Sequence, residues 1–490
     1  MKVKLVTVGI ILGVFGAVVL NADDTNTDVK QAIKANGQLV YSKTQKQVDS
    51  LSEMFQEGAF YGRLRNNNFF FAYDVQDSTN DTHLIPAVGA SLVYKSAKFS
   101  GFDFSLGLYG SQVFFDDNRD PVSKIKPGKD TFSRYDYIRT GSTSMGVVGQ
   151  ANLKYSVVKG TDIILGRQLF ESFYTKSNDT KMIPNSFDGI TAKIKSLPNH
   201  TIKLAYLAKQ KLRDHTTNHS VLMYDDRDTS AEVQTNWNAN DDAGMHKGLS
   251  YTNLVAQGKS TDAPLMIAEV KNSSIKNLRV DISSYFVPEL LSQAMGELNY
   301  KIKVGGLNIA PGIRYIQQFD NGAGAVGGAS LSGDSTGYKN TASLDAQMIA
   351  ARIVTKIDEY KINLGYTNIL NKADLVTPWR GFPTAGYTRS MGIYNWKANT
   401  KSYRLEVIKS ANKTGVYKNM FIQASVLYID GDIKKSSTAD SMFYYAGFIK
   451  NLDSMPEFQY RVRLGYRDFV GDSSNVSDYL DSRLEFNYLF

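Results

Sequence analysis

The sequence has no cysteine and contains little proline and tryptophan. Its 490 residues include 0 Cys, 11 Pro and 3 Trp. The absence of cysteine excludes a disulfide framework and any metal site built on thiolate ligands. The scarcity of proline permits long uninterrupted strands, because proline is confined to the edges and ends of sheets.

Long apolar runs are missing after the first twenty-two residues. A basic start is followed by an apolar run from Leu5 to Leu20, and Ala22 precedes a polar stretch. This layout predicts a cleaved secretory signal peptide over residues 1–22. An N-terminal membrane anchor is the alternative, since Leu20 stands where a small residue is usual before a cleavage site. Beyond Ala22 no run could form a transmembrane helix, so a helical membrane protein is excluded.

Aromatic residues and a period of two dominate the rest of the chain. Aromatics make up 12% of the residues, with 29 Tyr and 25 Phe. In residues 102–109, 458–467 and 480–490, apolar side chains alternate with polar ones. Alternation over about ten residues is typical of a transmembrane β-strand, which has one face toward lipid and one toward water.

About eighteen such segments can be placed, and the connections between them alternate in length. The segments start near residues 58, 85, 100, 145, 161, 187, 200, 264, 277, 292, 307, 344, 359, 399, 416, 440, 456 and 478. Long connections span about 116–144, 170–186, 212–263, 320–343 and 371–398. Residues 247–258 are ambiguous, and we assign them to a loop.

This rhythm predicts an all-β fold, a single transmembrane antiparallel β-barrel with short periplasmic turns and long extracellular loops. The predicted domains are a periplasmic N-terminal segment over 23–57, with a weak helix near 48–55, and a barrel over 58–490. The predicted location is the bacterial outer membrane.

Several stretches resemble the OprD-type outer-membrane porins, a family of substrate-specific eighteen-stranded channels. The resemblance lies in Phe55–Arg65, in Leu165–Gln168 and in Ser177–Gly189, together with the terminal aromatic Phe490. Lys181 stands where the family usually has Arg, and the proline common early in that loop is missing. The resemblance implies an eighteen-stranded barrel in which the loop after Gln168 narrows the pore.

Motifs for catalysis or cofactor binding have simpler explanations. Residues 321–327 spell a dinucleotide fingerprint, but they run into a Gly- and Ser-rich stretch without a helix pattern, which favours an extracellular loop. His215 and His219 have metal-like spacing, but solvated loop histidines are the preferred interpretation. The acidic clusters at 116–120 and 225–228 fit polar loop tips better than calcium sites. We therefore predict no catalytic residues, no cofactor and no metal.

The charge balance is basic, with a formal net charge of +8. An exported chain rarely meets nucleic acid, so lipopolysaccharide or anionic solutes are the better partners. Apolar positions must face lipid, and the opposite positions therefore face the lumen. The basic residues that this rule assigns to the lumen are Arg63, Arg65, Lys203, Lys209, Lys301, Lys303, Arg314, Arg352, Arg404, Arg461, Arg463 and Arg467. The main acidic residues on the same faces are Asp103, Glu297, Glu406, Asp481 and Glu485. The excess of cations predicts a basic ladder that attracts anions.

An eighteen-stranded barrel is too wide to discriminate small solutes unless a chain segment folds inward. We place this constriction in the loop over about 169–186. Its aromatic residues can pack on the inner wall, its charged residues can project into the opening, and its proline restricts the returning chain. The predicted constriction residues are Phe173, Tyr174, Lys176, Asp179, Lys181 and Pro184. The loop around Trp379 and Arg380 is the second candidate.

These features favour a passive, water-filled channel for small anions such as carboxylates or amino acids. A general diffusion porin is the closest alternative. An outer-membrane enzyme barrel, such as a lipase or protease with catalytic loops, and an adhesin-like barrel are alternatives from other classes. The sequence leaves the solute, the pore radius and the choice between monomer and homotrimer open.

Overall fold

A computed structural model describes residues 31–33, 39–41, 45–75, 82–114, 131–177, 182–222, 245–412, 414–415, 418–435, 439–470 and 477–490. The predicted signal peptide and the acidic clusters at 116–120 and 225–228 lie outside these residues.

Strands make up most of the described chain. Their bounds are β1 Gln31–Ile33, β2 Leu39–Tyr41, β3 Gln47–Val48, β4 Ala59–Tyr73, β5 His83–Lys95, β6 Lys98–Phe99, β7 Phe102–Val113, β8 Ser144–Val158, β9 Thr161–Gln168, β10 Ser186–Ile194, β11 His200–Lys211, β12 His219–Ser220, β13 Leu265–Asn272, β14 Leu278–Val287, β15 Leu291–Tyr300, β16 Ile302–Val304, β17 Leu307–Asp320, β18 Ala346–Ile357, β19 Tyr360–Ile369, β20 Thr400–Lys409, β21 Met420–Asp430, β22 Ser441–Asn451, β23 Phe458–Phe469 and β24 Tyr479–Leu489.

Eighteen long strands close into one antiparallel barrel, as the sequence predicts. Neighbouring strands in the chain are neighbours in the sheet, and β24 pairs with β4 to close it. The short strands β3, β6, β12 and β16 extend this sheet, whereas β1 and β2 form a separate two-stranded sheet. Closure satisfies the backbone hydrogen bonds of every wall strand, which a membrane-embedded sheet requires.

The two faces of the wall have reversed polarity compared with a soluble protein. On β20, Ser402, Arg404 and Glu406 are buried, whereas the apolar side chains of Tyr403 and Leu405 are exposed. The same alternation recurs around the barrel, so the exposed outer surface is largely apolar. This arrangement fits a barrel with lipid outside and polar groups inside.

In the part of the chain that the structure describes, four short helices lie in the connections. They are α1 Leu51–Gln56, α2 Arg134–Thr140, α3 Tyr251–Ala256 and α4 Ala323–Gly327. The first begins at Ser50, whose side chain accepts a hydrogen bond from the backbone of Glu53. It overlaps the predicted helical stretch near 48–55, and α3 lies within the segment that we assigned to a loop. Within the described ranges, no helix is long and apolar enough to cross a membrane.

Long connections gather at one end of the barrel and short turns at the other. The largest hydrophobic cluster lies at the long-loop end, where Tyr174, Trp379 and Trp396 pack with lumen-facing side chains such as Tyr285 and Met348. The loops are therefore packed into the barrel at this end, and the constriction must be sought there.

Candidate channel and constriction

The loop over residues 169–185, between β9 and β10, is anchored on a distant part of the wall. The Tyr174 ring is 1% exposed, and its hydroxyl lies 3.1 Å from the carbonyl oxygen of Ser283 on β14 and 3.3 Å from that of Gln293 on β15. The backbone N–H of Phe173 donates to the Glu269 carboxylate on β13, at 2.6 Å. The loop therefore extends along the inner wall over several strands.

The returning part of the same loop packs on a different section of the wall. Met182 and Ile183 are fully buried in a cluster that includes Tyr61, Ile85 and Tyr109 from β4, β5 and β7. These strands lie on the opposite side of β9 and β10 from β13 to β15. The described ends of the loop thus have anchors on two separated wall sections.

A second loop, over residues 370–399 between β19 and β20, is bonded directly to the first. The N–H of Lys176 donates to the carbonyl of Trp379 at 3.1 Å, and the N–H of Gly381 donates to that of Tyr174 at 2.8 Å. A Cβ added at Gly381 would collide with the Tyr174 backbone, so glycine permits this close approach. Thr175 and Arg380 form an isolated β-bridge at the same place.

This second loop also reaches across the lumen. Arg314 on β17 donates to the carbonyl of Pro383 at 2.6 Å, and Arg352 on β18 donates to that of Gly386 at 2.9 Å. Further along, Met391 packs against a cluster that includes Phe443 on β22. The first and second candidates from the sequence are thus hydrogen-bonded to each other on the lumen side of the wall.

The predicted constriction residues have different positions. Phe173 packs against the largest hydrophobic cluster, and Tyr174 and Pro184 are buried. The amine of Lys176 is partly exposed, 3.7 Å from Glu171, and burial lowers its pKa. Asp179 and Lys181 lie outside the described residues.

Lumen carboxylates often lie between two cations. Glu297 on β15 accepts from Nε of Arg314 at 2.7 Å and from Arg352 at 2.9 Å. The guanidinium groups of both arginines also lie over the ring of Tyr387, at 4.5 and 4.6 Å. One carboxylate with two guanidinium groups leaves a net positive charge, and the cluster joins the wall to the second loop.

A similar cluster lies where β23 meets β24. Glu485 is 3% exposed and forms a close ion pair with Arg463. The second cation is Arg461, whose Nη1 lies 3.8 Å from the other oxygen of the same carboxylate. The two arginines occupy lumen-facing positions one pleat apart, so this part of the wall also carries a net positive charge.

The third cluster lies beneath the first loop. Glu269 on β13 is 2% exposed and lies 3.0 Å from the amine of Lys203 and 3.4 Å from that of Lys271. The Lys203 amine also donates to the carbonyl of Glu171 in the loop, at 2.6 Å. In each of the three clusters one carboxylate lies beside two cations, so each cluster carries a net positive charge.

Most residues of the predicted ladder lie on the lumen side of the wall. The strand residues with this orientation are Arg63, Arg65, Lys203, Arg314, Arg352, Arg404, Arg461, Arg463 and Arg467. Lys301 and Lys303 share this orientation by register, but they are exposed at the short-turn end beside the β16–β17 turn. These last two therefore lie at the rim of the channel.

Lys209 was wrongly placed in the lumen. The register of β10 with β11 shifts between Asp188 and Gly189, because β11 has one extra residue there. Residues directly opposite in an antiparallel pair share a face, and the extra residue reverses the alternation. Lys209 lies opposite Asp188 on the outer face, where it forms an ion pair with Asp262 at 2.6 Å.

The opposite orientations of Lys203 and Lys209 give a matched pair of variants on β11. Lys203→Gln should reduce the anion preference of the channel, because it removes a lumen charge beside Glu269. Lys209→Gln removes the same charge from the outer face and should leave the preference unchanged. Reversal potentials measured in a salt gradient compare the two variants. An equal shift for both would contradict the assigned faces.

The predicted ladder also omitted cations. Arg483 lies on the lumen face of β24 and forms a bidentate ion pair with Asp481, and its strand position could have identified it. Arg389 belongs to the second loop, where no alternation exists. Its guanidinium lies over the ring of Phe382 at 4.4 Å and near that of Tyr394 at 5.3 Å. Burial lowers the pKa of Arg389 to about 10, so it remains cationic at neutral pH.

The other motifs have structural roles. His215 and His219 are buried with ring nitrogens 2.6 Å apart, so the interpretation as solvated histidines was wrong. Among the described residues, no group of three or more His, Asp or Glu side chains could hold a metal ion. The fingerprint-like segment contains α4, a buried five-residue helix inside the loop between β17 and β18.

No protein-family model and no curated protein sequence matches the chain. Solved structures do match. Pseudomonas aeruginosa OpdK with vanillate has a TM-score of 0.65 at 12% identity, covering 89% of this chain and 99% of that chain. P. aeruginosa OccK8 (OprE) has a TM-score of 0.66 at 14% identity, with coverage of 89% and 99%. Acinetobacter baumannii OccAB1 has a TM-score of 0.66 at 12% identity, with coverage of 89% and 97%.

These neighbours are OprD/Occ porins, so the fold expected from the resemblance is confirmed. The apolar outer surface, the polar lumen and the inward loops define the class of the chain, which has the architecture of an outer-membrane porin.

Proposed function

We propose that this protein is a passive channel of the bacterial outer membrane that favours small anions, with carboxylates as the main class of solute. The observation that carries the proposal is the repeated arrangement of one lumen carboxylate between two cations, as at Glu297 and Glu485. Because each carboxylate neutralises only one of its neighbours, a positive charge remains to attract an anion.

The inward loops support selectivity rather than free diffusion. A wide barrel discriminates little, whereas a lumen crossed by two loops brings a solute close to fixed charges. Arg389, Arg314 and Arg352 lie on or against the second loop, so an anion in the restricted region meets guanidinium groups. These groups can bind a carboxylate with two hydrogen bonds.

One of the solved channels with this fold is OpdK with vanillate, a compound that carries a carboxylate. It supports the proposed solute class. The proposal also includes contact of the chain, whose formal net charge is +8, with lipopolysaccharide, and assembly as a monomer or homotrimer.

Single channels of the purified protein in a planar bilayer test this function. In a potassium chloride gradient, we expect the reversal potential to have the sign of chloride selectivity. Adding a small carboxylate should produce brief blockages of the current, because the solute occupies the restricted region during passage. A cation-selective reversal potential would contradict the proposal, and a nonselective one would favour a general diffusion porin.

A further inference from the structure

The segment before the barrel contains a hairpin that is separate from the wall. Its strands β1 and β2 pair with Gln31 opposite Tyr41 and Ala32 opposite Val40. Opposite residues of an antiparallel pair share a face, so Gln31 and Tyr41 project from one face and Ala32 and Val40 from the other. The first face is oriented toward the barrel wall, since Gln31 is 2% exposed while Ala32 is exposed.

The hairpin is bonded to the end of the wall where the chain closes. The Gln31 amide donates to the carbonyl of Gly62 on β4 at 2.5 Å and to that of Phe490, just after β24, at 3.2 Å. The Gln459 amide on β23 donates to the carbonyl of Ile33 at 3.3 Å. These contacts join the hairpin to three neighbouring strands near their short-turn ends.

Aromatic contacts extend this docking to a fourth strand. The rings of Tyr41 and Tyr61 meet edge to face, with centroids 4.6 Å apart. The Lys95 amine on β5 lies 4.5 Å from the centroid of the Tyr41 ring. Tyr61, Lys95 and Gln459 all occupy lumen-facing positions, so the hairpin lies inside the mouth of the barrel and not outside it.

The position of the hairpin is also related to the basic ladder. Tyr61 precedes Arg63 on the lumen face of β4, and Gln459 precedes Arg461 on that of β23. The hairpin therefore covers the short-turn end of the wall section that carries Arg63, Arg461 and Arg463. A solute that moves along this section toward the short-turn end therefore comes close to the hairpin.

The described strands of the hairpin are held by a small set of polar and aromatic contacts. An isolated two-stranded hairpin is marginally stable at best in water, so these strands depend on their contacts with the wall. We propose that the β1–β2 hairpin is an N-terminal flap that narrows the short-turn mouth and widens it when it undocks. This proposal rests on the channel function proposed above.

Chemical labelling tests the position of the flap. The chain has no cysteine, so Ala32→Cys introduces a single reactive thiol on the face that points away from the wall. A bulky maleimide added on the short-turn side should reduce single-channel conductance by roughly half, because it fills the mouth. The matched control is Ser454→Cys, at an exposed position in the turn before β23. Labelling that leaves the Ala32→Cys conductance unchanged, or reduces both alike, would overturn the proposal.

Undocking tests the role of the flap. The double variant Gln31→Ala with Tyr41→Ala removes the contacts with Gly62, Phe490 and Tyr61, and we expect its conductance to rise roughly 1.5-fold. The control Gln45→Ala with Tyr155→Ala removes a bond to the β5–β7 turn and an outer aromatic contact, and should leave conductance unchanged.

The two tests separate the flap from the channel function. Anion selectivity should persist in the undocked double variant, because the ladder and the loops remain. If anion selectivity persists while the labelled Ala32→Cys variant and the Gln31→Ala/Tyr41→Ala variant both conduct as the parent protein does, the flap proposal fails and the channel proposal stands. If the parent protein itself lacks anion selectivity, the channel proposal fails.

Discussion

Replacing Tyr174 and Trp379 together by alanine is expected to raise single-channel conductance about two- to threefold while the barrel still assembles. Tyr174 attaches the first loop to β14 and β15. Trp379 attaches the second loop to the connection that follows β12, because its indole N–H donates to the carbonyl of Val221 at 3.0 Å. Both rings pack edge to face against Tyr285, with centroids 4.8 and 4.9 Å away.

The size of this effect follows from the burial of the two rings. Both are 1% exposed, and truncation of a buried aromatic side chain typically costs about 3–5 kcal/mol. The wall strands keep their hydrogen bonds, so most of the loss falls on the docking of the loops. Undocked loops occupy the restricted region only part of the time, so we expect a larger and noisier current.

Two controls isolate the role of the loops. Tyr174→Phe keeps the ring and removes only the hydroxyl, so its conductance should stay close to that of the parent protein. Tyr206→Ala removes a tyrosine from the outer face of β11, where the ring is 45% exposed, and should leave the current unchanged. Unchanged conductance in the Tyr174→Ala/Trp379→Ala variant would show that these loops do not limit the pore.

The wall was predictable because each strand has two environments. Lipid selects apolar side chains and the lumen accepts polar ones, which writes a period of two into the sequence. The predicted start near 307 coincides with that of β17, and the predicted start near 416 is four residues before Met420. Strand ends were less well defined, because the alternation weakens where the chain leaves the membrane region.

The errors in the predicted site arise from structural features that do not change the alternation of polar and apolar residues. One extra residue in β11 reverses the orientation of Lys209, and no composition signal marks it. The contact between Tyr174 and Ser283 joins residues far apart in the sequence, so the loop could be selected but not its anchor. Arg389 lies in an irregular loop, where spacing says nothing about direction.

The second large change in channel behaviour, a loss of anion selectivity, is expected when the cations around Glu485 are removed. Replacing Arg461 and Arg463 together by glutamine leaves this carboxylate in the lumen without its two neighbouring cations. The local charge changes from net positive to negative, and we expect the anion-to-cation permeability ratio to fall about three- to tenfold at 0.1 M salt. Glu485→Gln should shift the reversal potential in the opposite direction, because it leaves both arginines without a carboxylate.

The control for this double variant removes two cations elsewhere. Lys401 lies on the outer face of β20 beside Asp430, and Lys418 lies in the turn before β21 near Asp453. Lys401→Gln with Lys418→Gln changes the net charge by the same amount, but we expect only a small shift in the reversal potential.

The measurement should be repeated at 1 M salt, where the Debye length falls from about 10 Å to about 3 Å. The effect of the Arg461 and Arg463 replacements should shrink there, because mobile ions then screen the lumen charge. If the control variant shifts the reversal potential as strongly as the lumen variant, selectivity arises from overall charge and not from this cluster.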